Sequence, residues 1–199
     1  LVFSRPGSYY VKAEPGYPAA RESDPVRVTV APLPESEQPV MEIWSRQEIA
    51  RFMNGGTITS RDGVPPLQRL LEQYPDSLYA DHARYALGGY WHYEYITRWS
   101  QIPERNTADP EWMRKAYALF GAVTDRVPIL KVRALEHQLG IVFQKQFMSD
   151  EVDLEALARE IEPRMSLADR IGLGEKIRDW FPRVLAREKP TATPPATQP

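Results

Sequence analysis

Along most of the chain apolar residues recur at helical spacing; only near its start do they alternate with polar ones. Leu67, Leu70, Leu71 and Tyr74 place one apolar stripe on a helix. Pro75 stops that helix, because the residue before a proline is pushed out of the α region. Asp76 or Ser77 is positioned to cap the next helix. There Tyr79, Ala83, Ala86, Leu87, Tyr90 and Trp91 keep the i, i+3, i+4 spacing, and the pattern runs on through Trp99. Gly88 and Gly89 lie inside it, where each costs about 1 kcal/mol relative to alanine. Together with Ala83 and Ala86 they suit the close approach of a neighbouring helix. The pattern predicts two antiparallel helices in tight contact.

Further helices follow from the same spacing. Ser45 and Glu48 form a capping box, with Trp44 and Ile49 placed as a hydrophobic staple, for a helix ending at Asn54-Gly55. Residues 55–63 read as a polar loop without P-loop spacing, and residues 100–109 as an exposed loop. Asp109-Pro110-Glu111 is a helix start; Met113, Ala116, Tyr117, Phe120, Val123 and Val127 mark its apolar face, and Pro128 is expected to break it. Val132, Leu135, Leu139, Val142 and Phe143 mark the next face. Asp150 is expected to cap a helix bearing Leu154, Leu157, Ala158 and Ile161 and ending near Pro163. Ser166 to Asp169 reads as another capping box, before a helix carrying Ile171, Gly174, Ile177 and Phe181 that Pro182 ends or kinks. A weak internal repeat aligns Pro75 with Pro128, Leu67 with Phe120 and Gly88 with Gly140.

The first 31 residues have the period of strands. Tyr9, Val11 and Ala13 alternate with polar or exposed positions, as do Val26, Val28 and Val30. The Pro- and Glu-rich run Ala31–Val40 reads as a semi-rigid extended connector; the linker is placed over 32–43 and the helical domain is expected over 44–189. Residues 190–199, ending TPPATQP, are low in complexity and expected to be disordered.

Two resemblances enter on these residues. The run LEQYPDSLYADHARYALGGYW resembles the bacterial tetratricopeptide repeats of outer-membrane assembly lipoproteins and division coordinators. Leu70, Leu71, Tyr74, Pro75, Asp76, Ser77, Tyr79, Ala80, Asp81, Ala83, Leu87 and Gly88 carry the match, which covers about one repeat joint. The segments PGSYYVKA and DPVRVTV resemble the last two strands of an immunoglobulin-like sandwich, with Tyr9 at the corner-tyrosine position. The resemblances imply a mainly α protein, a tetratricopeptide-like array of antiparallel helix pairs with a short N-terminal β-hairpin. They further imply protein–protein binding in a bacterial cell envelope or periplasm, on a surface that receives a peptide or partner helix.

Composition narrows the chemistry. The 199 residues carry a net charge of −2 with mixed signs, which gives no electrostatic case for nucleic acid. There is no apolar run long enough for a membrane span. No Met stands at position 1 and no signal peptide is evident, so the chain reads as a mature or excised segment. With no cysteine there are no disulfides, thiolate nucleophiles or Cys-type zinc sites. His82, His92 and His137 lack the i, i+4 spacing of helical metal ligands, and no serine or threonine sits in a nucleophile elbow. Neither a cofactor nor a catalytic residue is expected. The cluster Tyr90, Trp91, Tyr93, Tyr95 and Trp99 stands above this background. Its residues serve either as core or as a binding surface, and the surface reading assigns Tyr93, Tyr95, Arg98 and Trp99 to a protein or peptide partner. Two other readings remain: an accessory domain of a larger envelope enzyme, and a structural spacer.

Overall fold

A computed structural model describes residues 6–11, 24–54, 61–100, 102–144 and 152–185. The protein is mainly α-helical, with a two-stranded antiparallel sheet near its N-terminus. The chain divides into two compact units, residues 1–41 and 42–199. In the first, β1 (Gly7–Val11) pairs with β2 (Val26–Val30) in the register Tyr9 opposite Val28 and Val11 opposite Val26. This register gathers Tyr9, Val11, Val26, Val28 and Val30 on one face, as the alternation predicts. Ala13 lies outside the described residues.

The connector differs from expectation. It is extended only to Pro34; a 3-10 turn then covers Glu35–Glu37, and α1 occupies Gln38–Trp44. Pro39 falls in the first turn of α1, where its missing N–H removes no intrahelical bond. The next helix, α2, is Gln47–Asn54. Ser45 does not form the capping box, since its hydroxyl donates to the Glu42 carbonyl at 3.4 Å. Gly55 and the polar loop through Ser60 lie outside the described residues.

The central joint follows the sequence closely. α3 spans Val64–Gln73 with Leu67 and Leu70 fully buried, and Tyr74 closes it outside the α region (φ −137°, ψ 56°). α4 spans Ala80–Arg98 and ends at Trp99. Ser77 acts inside the turn rather than as the helix cap: its buried hydroxyl accepts from the Tyr79 N–H at 3.2 Å. α5 spans Pro110–Gly121, with the Asp109 carboxylate accepting from the Glu111 N–H at 2.9 Å as expected. α5 ends well before Pro128, which instead opens α6 (Pro128–Gln144); Val123 is buried in the intervening turn. Proline suits this first-turn position because it needs no hydrogen-bond partner there.

Contacts fix the directions of these helices. Asp81 at the start of α4 meets Thr124 beyond the end of α5, while Arg98 at the end of α4 lies over Trp112 at the start of α5. α4 and α5 are therefore antiparallel. Lys131 donates to the Gly121 carbonyl and Gln138 to the Tyr117 carbonyl, so α5 and α6 are antiparallel too. A β-carbon on Gly88 would stand 2.9 Å from the Phe120 ring, so the missing side chain is what admits that ring. Gly140, its partner in the internal repeat, sits in the same way under Trp180, with 3.3 Å available.

α6 is buried on two sides. Ala134 and Ile141 join Tyr95, Met113, Ala116 and Phe120 in one cluster. Val132, Leu135, Leu139 and Val142 join Leu154, Leu157, Ile161, Ala168 and Ile177 in another. The second cluster is closed by α7 (Leu154–Ile161), α8 (Met165–Arg170) and α9 (Gly174–Leu185). Asp153 caps α7, accepting from the Ala156 N–H at 2.8 Å; Asp150, the expected cap, lies outside the described residues. Ser166 lies within α8 and begins no new helix. The single helix expected beyond it is divided at Gly172 (φ 76°). There the Leu173 N–H reaches the Ala168 carbonyl and the Gly172 N–H the Asp169 carbonyl, a Schellman stop that only a left-handed residue completes. Pro182 is accommodated inside α9. Residues 190–199 lie outside the described residues.

Candidate functional site

Two polar assemblies hold the helix turns in a row. The buried Asp81 carboxylate accepts from the Thr124 hydroxyl at 2.5 Å, from the Thr124 N–H at 3.1 Å and from Arg84 at 2.8 Å. Burial opposes this charge, but the Thr124 hydrogen bonds and Arg84 outweigh it and hold the carboxyl below its ordinary range. Arg126, in the turn after α5, reaches back to the carbonyls of Asp76 and Ser77 in the turn after α3. One level further on, Arg164 reaches back to Asp125 through paired hydrogen bonds of 3.1 and 2.5 Å. Each turn is thus clasped by an arginine from the next. Their donors and acceptors are consumed by the fold, so these assemblies leave little for a ligand.

The opposite end of α4 is built differently. Trp91 and Trp112 stack with centroids 6.4 Å apart, Lys115 lies 5.0 Å from the Trp91 ring, and Arg98 lies 4.9 Å from the Trp112 ring. Arg98 also pairs with Glu94 at 2.7 Å, and Arg61 pairs with the same carboxylate oxygen at 3.1 Å. The loop after α4 closes on itself, with the Thr107 N–H donating to the Arg98 carbonyl at 3.1 Å. On this frame Ile96, Trp99 and Ile102 stand 44, 39 and 46% exposed.

The four residues assigned to a partner surface separate here. Trp99 is exposed, while Tyr93 and Arg98 are half-buried. Tyr95 is 5% exposed and belongs to the core with Met113 and Phe120, and burial pushes its phenol up. Tyr90 is core as well. The aromatic run therefore serves both purposes: Tyr90 and Tyr95 face inward, Trp91 stacks along the flank, and Trp99 emerges at the end. Sequence reasoning missed Ile96 and Ile102, whose signal was an apolar residue off the buried stripe and another in a polar loop.

Other chemistry is sparse. Among the described residues no group of three or more His, Asp or Glu side chains is arranged to hold a metal ion, and no helix is long and apolar enough to cross a membrane. His137 is enclosed by Tyr85, His92 and Phe120. A groove of about 450 Å³ lies among α7, α8 and α9, lined by Ile161, Met165, Ile177 and Phe181; its neighbour Arg178 is committed to Asp169 at 2.6 and 2.8 Å. No protein-family model, curated protein or solved structure matches the chain.

Proposed function

We propose that this protein is a non-catalytic interaction module that engages a protein or peptide partner at the end of α4 and the loop beyond it. The observation that carries the reading is the exposure of Ile96, Trp99 and Ile102 together, beside the Arg98–Trp112–Trp91–Lys115 stack. Aromatic and arginine side chains dominate interface hot spots, and exposed large apolar side chains close together in the chain are what such a surface offers a partner. Trp99 is the anchor; Tyr93 and Arg98 flank it. The helix-pair arrangement of α3 to α6 supports the tetratricopeptide-like resemblance carried by Tyr74-Pro75-Asp76-Ser77. Through that resemblance it supports service in a bacterial cell envelope, with the hairpin as the end of an immunoglobulin-like element. The accessory-domain and spacer readings predict no binding event that depends on Trp99.

Affinity capture from envelope extract with the full chain tests the proposal. Wild type is compared with Tyr93→Ala/Trp99→Ala and with Arg126→Ala, after circular dichroism shows equal helicity. A partner held by wild type and Arg126→Ala but lost by the double variant is the expected result. A partner indifferent to Tyr93 and Trp99 overturns it.

A further inference from the structure

His137 lies half-buried where α4, α5 and α6 meet, with Tyr85 and His92 as its titratable neighbours. Its Nε2 lies 3.0 Å from the Tyr85 hydroxyl, its ring is stacked on Phe120 at 4.8 Å and 6°, and His92 meets it edge-on at 6.3 Å. Tyr85 and His92 come from α4, Phe120 from α5, and His137 from α6. Phe120 is also the ring that fills the space over Gly88. One imidazole thus touches the side chains that close the packing of three helices.

The charged groups around it set its response to acid. On α6, Glu136 favours the imidazolium and Arg133 opposes it; from α9, Lys176 opposes it and also holds Glu136 in an ion pair. Tyr85 is neutral at ordinary pH, and burial pushes its phenol up further. The Phe120 ring face attracts a cation weakly. Burial outweighs these attractions and lowers the basicity of His137 below that of a free histidine. Protonation would place a charge beside Glu136, a carboxylate already paired with Lys176.

We propose that His137 is an acid-sensitive latch that holds α6 against α4 and α5 while its ring is neutral and loosens them when it is protonated. The sign follows from linkage. The unfolded chain takes up this proton near the free-histidine value of about 6.5, whereas the folded chain takes it up only at lower pH. Stability is therefore undiminished above about pH 6.5, falls as pH drops through the interval below it, and levels off once the folded form is also protonated. A link to binding rests on the proposed partner surface, since Trp99 caps the C-terminal end of α4.

The test is the imidazole titration of His137 by NMR, with amide hydrogen exchange of residues 82–92 and 133–141 at pH 7 and pH 5, corrected for intrinsic exchange. The expected result is a midpoint below 6.5 and faster exchange at pH 5 than at pH 7 in these two segments, by the factor that the measured midpoint sets through linkage. His137→Phe keeps the stack on Phe120, and His137→Gln keeps a polar group toward Tyr85. Whichever variant retains wild-type helicity at pH 7 is expected to lose the pH response. A midpoint at or above 6.5, or exchange that accelerates equally in the folded variant, overturns the proposal.

Discussion

At its N-terminal end α4 is tied down by charge. The buried Asp81 carboxylate is satisfied by Thr124 at the surface of the turn and by half-buried Arg84, and Arg126 bridges the carbonyls of the adjoining turns. At its C-terminal end the same helix offers indole and branched aliphatic surface to water, on a base of stacked tryptophans and cations. One end spends its chemistry on the fold, while the other keeps a large apolar side chain exposed on a well-supported frame. A buried polar cluster with every partner inside the chain marks structure; an exposed apolar cluster on a rigid frame marks contact.

The contrast breaks most visibly at Asp81. Asp81→Ala removes a buried carboxylate and the three hydrogen bonds it accepts from Thr124 and Arg84, so it is expected to cost about 3 kcal/mol in urea unfolding. Gly88→Val, midway along α4, drives a side chain into Phe120 and is expected to cost about 2 kcal/mol, part of which Phe120→Leu restores.

Acid acts on the turn end in the same sense. Asp125 is held below its ordinary range by its hydrogen bonds to Arg164, and Asp81 by Thr124 and Arg84. Their unfolded forms bind protons first, so their stabilisation is present above about pH 4 and is lost as pH falls through the lower folded values. Thermal unfolding between pH 5 and pH 2 is expected to show this loss, and Asp81→Asn to flatten it. The smallest effect belongs to the loop end, where Trp99→Ala uncovers only part of an indole already 39% exposed and is expected to cost about 1 kcal/mol.

Local rules carried the sequence reading well. The apolar spacing of Leu67 and Leu70, the stop at Pro75, the Asp109 cap and the β1–β2 alternation are all short-range signals. What escaped depended on partners far along the chain. The Asp81–Thr124 and Arg164–Asp125 contacts join residues that no local window shows together. Tyr95 lies on α4 and Trp99 just past its end, and the packing of α5 covers only the first. α1 was hidden because a proline-rich composition reads as extended, although Pro39 suits a first turn. Gly172 was passed over because the apolar spacing continues across it, while its left-handed conformation ends α8.

The most direct measurement is hydrogen exchange of the full chain with and without the partner captured through Trp99. The account predicts slowed exchange over residues 91–115, with residues 74–84 and 121–127 unchanged. Protection centred on the turns, with none near Trp99, would contradict it.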